Sequence, residues 1–273
     1  MSDDLQQVQV LDLPLHEREA GALPLIERLT RGESLPAAGA SLPLSQVQLR
    51  APIPRPRRNI FCVGKNYYAH AKEFAQSGFD SSAKAGGDIP SVPIIFSKVP
   101  ECVVGPTDDV RLPGEAVSAQ IDYEAELAVI IGKGGKNIKA ADAFSHIYGY
   151  AVGLDMTRRD LQGEMKKQGR PWCIGKSFDH SAPMGPITPA AQAGDVVNAE
   201  LFVQVNGADR QRSNVNKLIW NIAETIEHLS AAWELQAGDL IFTGTPEGVA
   251  AVVPGDTMVG GVTGLGELKV KVV

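Results

Sequence analysis

The chain has 273 residues, 44% of them hydrophobic and 21% charged, which is ample for a buried core in one large domain or in a small domain leading a larger one. Its formal net charge is −6 and no block of Lys or Arg occurs, so neither nucleic acid nor a membrane surface is an expected partner. No stretch reaches the length of a membrane span and Met1-Ser2-Asp3-Asp4 does not open a signal sequence, so a cytoplasmic location is expected.

In chain order, Val8 to Leu13 is strand-like, Leu23 to Leu29 is helix-like, and Leu35-Pro36-Ala37-Ala38-Gly39-Ala40 predicts a loop. Ala51-Pro52-Ile53-Pro54-Arg55-Pro56 reads as a rigid proline-rich connector. It divides a small N-terminal region, residues 1–55, from a main domain, residues 56–273. The main domain opens with a strand over 59–64 and a helix over 66–74. Residues 77–88 are small, polar and glycine-rich, the composition of a surface loop or lid. A short apolar strand, Pro93 to Phe96, ends at Ser97-Lys98.

Ile121 to Ile131 is predicted as a single strand in which Ile121, Tyr123, Ala125, Leu127, Val129 and Ile131 form an apolar face. Asp122, Glu124 and Glu126 share the other face. Carboxylates two residues apart on a strand are held roughly 7 Å apart and repel, which raises a pKa or recruits a cation, a hard divalent metal being the natural one. The same alternation describes a solvated outer face of an antiparallel strand, and spacing does not separate the two readings.

Gly132-Lys133-Gly134-Gly135-Lys136 predicts a turn, and Ile147 to Leu154 a strand that delivers Asp155. Asp155 fits a helix N-cap before Met156-Thr157-Arg158-Arg159-Asp160-Leu161-Gln162, and equally a ligand oxygen at the end of a strand. Asn206-Gly207 is a hairpin signal because both residues accept positive φ. Leu218, Ile219, Ile222, Ile226, Leu229 and Trp233 recur at helical spacing, with Ser213 or Asn214 as cap and Gly238 past the end. Strands over 239–244 and 268–272 close the chain. Strands dominate without regular strand-helix alternation, so a mostly β, α+β sandwich or roll is expected rather than a doubly wound parallel sheet. Cys62, Cys102 and Cys173 are odd in number and far apart, and read as buried thiols, with Cys173 left open because it lies near a motif.

Gly175-Lys176-Ser177 imitates the end of a phosphate loop, but the required first glycine falls on Arg170, and Pro171 and Trp172 suit such a loop poorly. No Gly-x-Ser-x-Gly elbow and no His-Glu-x-x-His occurs. His70 and Glu73 are three apart in a helix-like segment, within mutual reach, and a histidine ordered by a carboxylate can take a proton from water near neutral pH. The same spacing is also common in surface pairs.

Taken together, five ordered segments resemble the fumarylacetoacetate hydrolase family, in its acylpyruvase-like branch. They are Val63-Gly64-Lys65-Asn66-Tyr67 with His70 and Glu73, Asp122 to Leu127, Asp155 to Gln162, Gly175-Lys176-Ser177-Phe178-Asp179, and Thr243-Gly244-Thr245-Pro246-Glu247-Gly248-Val249. The resemblance covers the chain from about Pro56 to its end. It implies a β-rich fold, a homodimer, and Mg²⁺ or Mn²⁺ held by Glu124, Glu126 and Asp155, an all-oxygen set suited to a hard octahedral ion and a chelating 2-oxo acid. It further implies that His70 and Glu73 position and deprotonate water, that Lys176, Arg159 and Gln162 line the substrate site, and that Thr245 meets a substrate carboxylate. The segment from Gly78 to Gly87 departs from the shortest family members where a lid is expected.

The activity implied is hydrolysis of a carbon-carbon bond in a 3-acylpyruvate or related 2,4-dioxo acid, as in aromatic catabolism, through a metal-bound enolate and His-Glu activated water. Oxaloacetate decarboxylation and isomerisation of an unsaturated dicarboxylate such as 2-hydroxyhepta-2,4-diene-1,7-dioate are the alternatives at the same site. A non-catalytic binding protein that kept the fold is the rival from another class.

Overall fold

The computed structural model describes residues 6–76 and 90–273, and its architecture is the expected α+β one. Residues 77–88, read as a loop or lid, lie outside the described residues. A six-stranded mixed sheet runs, edge to edge, through Thr188–Pro189, Ile147–Leu154, Ala125–Ile131, Leu240–Phe242, Ile60–Gly64 and Ile94–Lys98. All neighbours in it are antiparallel except Leu240–Phe242 with Ile60–Gly64. A four-stranded antiparallel sheet of Ala208–Asn214, Glu200–Val205, Thr257–Val262 and Gly266–Lys271 packs against one face of it.

Both faces of the six-stranded sheet are buried. Leu127, Val129, Ile131, Val152 and Leu154 meet Leu201, Val203, Met258 and Leu268 of the second sheet, together with Ile226 and Leu229 of the long helix. Ala128, Ile130, Ala151 and Cys62 face the other way, onto Ile53, Met184, Leu23 and Ile26. The helix Leu23–Thr30 and the connector residues Ala51 and Ile53 thus share an apolar cluster with the main sheet. This double burial removes the solvated-face reading of the acidic segment, since Asp122, Glu124 and Glu126 are all buried.

Several expectations are corrected. Ile121 to Ile131 is two strands, Ile121–Tyr123 and Ala125–Ile131, because the chain changes sheets at Glu124: Tyr123 pairs with Ala250 in a small three-stranded sheet, whereas Ala125 pairs with Leu154 in the large one. The long helix spans Ile222–Ala232 and begins a turn later than its apolar spacing suggests. Asn66 holds Ile219 and Trp220 out of it by accepting both of their backbone N–H groups, and Asn221 then caps the helix in a reciprocal box with Glu224. Ala38–Pro43 is a strand rather than loop, paired with Gln7–Leu11. Cys62 and Cys102 are buried as read, but Cys173 is exposed. The hairpin at Asn206-Gly207 forms with both residues at positive φ, 52° and 78°. Among the described residues no helix is long and apolar enough to cross a membrane.

Candidate active site

Strand ends and short helices converge where the six-stranded sheet meets the three-stranded one. Glu126 occupies the strand Ala125–Ile131 and points to the same side as Ala128 and Ile130. Glu124 sits in the break just before it, fastened by the backbone N–H of Asp155 to its carbonyl at 2.8 Å. Asp155 follows the strand Ile147–Leu154. It does not cap the helix Arg159–Lys167, whose N-cap position is Arg158; instead it is fully buried. One ligand oxygen from each of Glu124, Glu126 and Asp155 can be chosen so that all lie within 4.8 Å of one another.

The cluster is threaded with cations. Lys176 Nζ lies 2.6 Å from Glu124 Oε2, 2.7 Å from Asp155 Oδ2 and 2.7 Å from Thr157 Oγ1. Arg159 pairs with Asp122 Oδ2 through Nε at 2.7 Å and with Glu124 Oε1 through Nη2, and donates to Gln162 Oε1 at 2.7 Å. Lys98, at the inner end of the strand Ile94–Lys98, stands 2.7 Å from Asp155 Oδ1. Gly175 permits the close approach that delivers Lys176: a Cβ there would lie 2.7 Å from the backbone N of Gln162.

Among the described residues Glu126 makes no ion pair; it accepts the Gly244 N–H at 2.7 Å. Burial pushes its carboxyl well above the ordinary range and the charges of Asp155 and Glu124 push the same way, with Lys176 and Gly244 opposing. Burial acts upward on Glu124 too, but Lys176 and Arg159 hold its carboxyl well below the usual value. Burial acts downward on the Lys176 ammonium, and Asp155 and Glu124 reverse this and raise it.

Four carboxylates, Asp122, Glu124, Glu126 and Asp155, therefore face three cations, Lys98, Arg159 and Lys176. Glu126 is thus the carboxylate of the cluster without a cation of its own among the described residues. The residues present fit a hard metal ion in donor type, since every candidate ligand atom is a carboxylate oxygen.

His70, Glu124, Glu126, Arg159, Gln162, Lys176 and Thr245 line a single pocket, walled further by Lys65, Phe96, Lys166 and Trp172. His70 is buried on the helix Tyr68–Gln76, its Nδ1 3.5 Å from Glu73 Oε2. Glu73 also accepts the Gly248 N–H, at 3.2 Å to each oxygen. Burial acts to raise the Glu73 carboxyl, while His70 and that N–H hold it below its ordinary value. Each residue singled out in the sequence thus reaches the pocket or its immediate support. Sequence reasoning missed Lys98, which had no signal beyond being a lysine at the end of an apolar strand, and Gln211, which lies in a polar run with no marked alternation.

An α+β fold that buries an acidic, oxygen-only cluster beneath a cation-lined pocket defines a class of enzyme-like folds whose carboxylates can hold a divalent metal. More narrowly, the chain belongs to the fumarylacetoacetate hydrolase family: residues 59–273 match the family described as fumarylacetoacetate (FAA) hydrolase, C-terminal. Oxaloacetate tautomerase YisK of Bacillus subtilis (strain 168) is 43% identical over 207 residues, 76% of this chain and 64% of that protein. The match thus spans less than two thirds of the length of that curated relative. Fumarylpyruvate hydrolase from Pseudomonas aeruginosa, solved in complex with Mn²⁺ and pyruvate, is similar at 48% identity and TM-score 0.71, covering 80% of this chain and 91% of its own. Maleylpyruvate hydrolase from Sphingobium sp. SYK-6 is similar at 35% identity and TM-score 0.72, with 92% and 85% covered.

Proposed function

We propose that the protein hydrolyses the carbon-carbon bond of a 3-acylpyruvate or related 2,4-dioxo acid, giving pyruvate and a carboxylic acid. The observation that carries this reading is the His70–Glu73 pair beside a pocket whose floor is the carboxylate cluster, because attack by water needs a general base facing the bound electrophile. The 48% identity to a fumarylpyruvate hydrolase supports it.

Glu124, Glu126 and Asp155 would hold Mg²⁺ or Mn²⁺, which when bound supplies Lewis acidity toward the carboxylate and 2-oxo group of the substrate. His70 takes a proton from water at Nε2, the ring nitrogen turned away from Glu73, and Glu73 stabilises the imidazolium. The water oxygen adds to the distal acyl carbonyl. The bond between that carbon and the pyruvyl methylene then breaks, its electron pair staying with the methylene as an enolate. The proton held on His70 passes to the methylene carbon, completing pyruvate. Arg159 meets the negative charge that develops on oxygen, worth about 3–4 kcal/mol for a well-placed donor, and Lys176, whose three donors go to Glu124, Asp155 and Thr157, adds its positive charge. Gln162 and Thr245 orient the substrate.

The 43% identity to an oxaloacetate tautomerase favours a second reading at the same site, proton transfer at the methylene of oxaloacetate without attack by water. Assays of acetylpyruvate, fumarylpyruvate and oxaloacetate with each metal separate the two. The hydrolytic reading expects pyruvate release from an acylpyruvate, lost in His70→Ala. Turnover of oxaloacetate alone would reject it.

A further inference from the structure

Gln211 projects inward from the strand Ala208–Asn214 and is 1% exposed. Its Oε1 accepts the backbone N–H of Ala125 at 2.9 Å, between Glu124 and Glu126, while its Nε2 donates to Pro246 O at 2.7 Å and to Thr245 Oγ1 at 2.9 Å. Chemistry alone sets the direction of this amide. An amide N–H can only donate and a proline carbonyl can only accept, so Oε1 must face Ala125 and Nε2 must face Pro246. One Nε2 hydrogen is then used on Pro246 and the other on Thr245.

Thr245 Oγ1 is consequently an acceptor toward Gln211, and its own proton has to point elsewhere. Thr245 is buried at the pocket wall and, among the described residues, makes no other hydrogen bond. The direction left to that proton is the pocket.

We infer that Gln211 is a positioning residue that makes Thr245 an obligate hydrogen-bond donor, and that this donor selects an acceptor-only oxygen, the carboxylate of the 2-oxo acid. This deepens the function proposed above and rests on it for the identity of the ligand. One buried amide thereby couples the strand carrying the carboxylates to the loop that grips the substrate. Gln211→Glu keeps the acceptor for Ala125 and the side-chain length, but offers Thr245 an acceptor, which draws the hydroxyl proton out of the pocket.

The test is calorimetric binding of pyruvate to the Mn²⁺-loaded wild type and to Thr245→Ser, Thr245→Val, Gln211→Glu and the Gln211→Glu/Thr245→Val double variant. Thr245→Val should weaken pyruvate about tenfold, and Thr245→Ser should bind as the wild type does. Gln211→Glu should cost about tenfold in the wild-type background and about threefold or less beside Thr245→Val, because the charge effect is common to both backgrounds and only the hydroxyl effect is not. Equal losses in the two backgrounds would overturn the inference. Should Gln211→Glu not fold, equal pyruvate affinity in Thr245→Ser and Thr245→Val overturns it alone. This pattern without turnover of any acylpyruvate would sink the proposed reaction and leave the inference standing; turnover with undiminished pyruvate affinity in Thr245→Val would do the reverse.

Discussion

The Lys98 ammonium stands 2.7 Å from Asp155 Oδ1 with both side chains fully buried, behind the face of Asp155 that meets Lys176. Lys98 also donates to Met156 O and Ser181 Oγ, each at 3.0 Å, and to the carbonyl of Lys176. It ties three segments that carry the site. Removing one partner of a buried pair leaves the other charge uncompensated, so Lys98→Met should destabilise the protein by about 3–5 kcal/mol. Urea unfolding measures this, and an unchanged midpoint would refute it.

Glu126 should behave in the opposite sense. Its burial and its like-charged neighbours already disfavour the ionised form, so Glu126→Gln should leave the metal-free protein at least as stable as the wild type. The same change removes an anionic ligand and should weaken Mn²⁺ binding by about tenfold or more. Thermal melts in chelator, set beside Mn²⁺ titrations, check both halves; a destabilised metal-free variant contradicts the argument.

His70→Ala should lower turnover by about 10²- to 10⁴-fold, the usual contribution of a general base. Glu73→Gln should lose less, since it keeps a hydrogen-bonding partner for the ring. Neither should change Mn²⁺ affinity more than twofold, in order of magnitude, because neither belongs to the carboxylate cluster. Equal turnover in His70→Ala and wild type rejects the role.

Gly175→Ala forces a methyl group to within 2.7–2.8 Å of Gln162 N and Cα, where the obstacle is backbone and not a movable side-chain tip. Overpacking of this kind costs about 1–3 kcal/mol. The helix Cys173–Lys176 has to move off the helix Arg159–Lys167, carrying Lys176 with it. The expected result is a lowered melting temperature together with a lowered kcat; loss of neither shows that the contact yields.

Asp160 supplies a pH-dependent prediction. Burial acts to raise its carboxyl, but hydrogen bonds from Ser118 Oγ at 2.6 Å and from the N–H groups of Ala119 and Leu161, each at 2.8 Å, hold it below the ordinary value. Its folded pKa therefore lies under its unfolded one, so its contribution is fully present above about pH 4 and is lost as pH falls through the folded value. Asp160→Asn should cost about 1 kcal/mol at neutral pH, and the gap to wild type should close in acid. Chemical unfolding from pH 7 to pH 2 follows it; a gap that widens on acidification rules it out.

The local features of the sequence survive folding where neighbours in sequence settle them. The strand Ile147–Leu154, the hairpin turn at Asn206-Gly207 and the i, i+3 placement of His70 and Glu73 all depend on backbone preferences and short spacings. The break at Glu124 was hidden because the Ala125 N–H is taken by a side chain 86 residues away. The helix start at Ile222 was hidden because Asn66, more than 150 residues earlier, holds Trp220 in place. The strand Ala38–Pro43 is small and weakly apolar, and its pairing with Gln7–Leu11 makes it a strand.

By itself the sequence determined which histidine and glutamate lie within reach, and which family the ordered motifs resemble. Tertiary structure decided that the acidic face is buried, that Lys98 and Lys176 stand among its carboxylates, and that Gln211 sets the direction of the Thr245 hydroxyl. The physical reason is range. Backbone geometry and side-chain periodicity act within a few residues, whereas desolvation and ion pairing depend on partners that only the folded chain brings together.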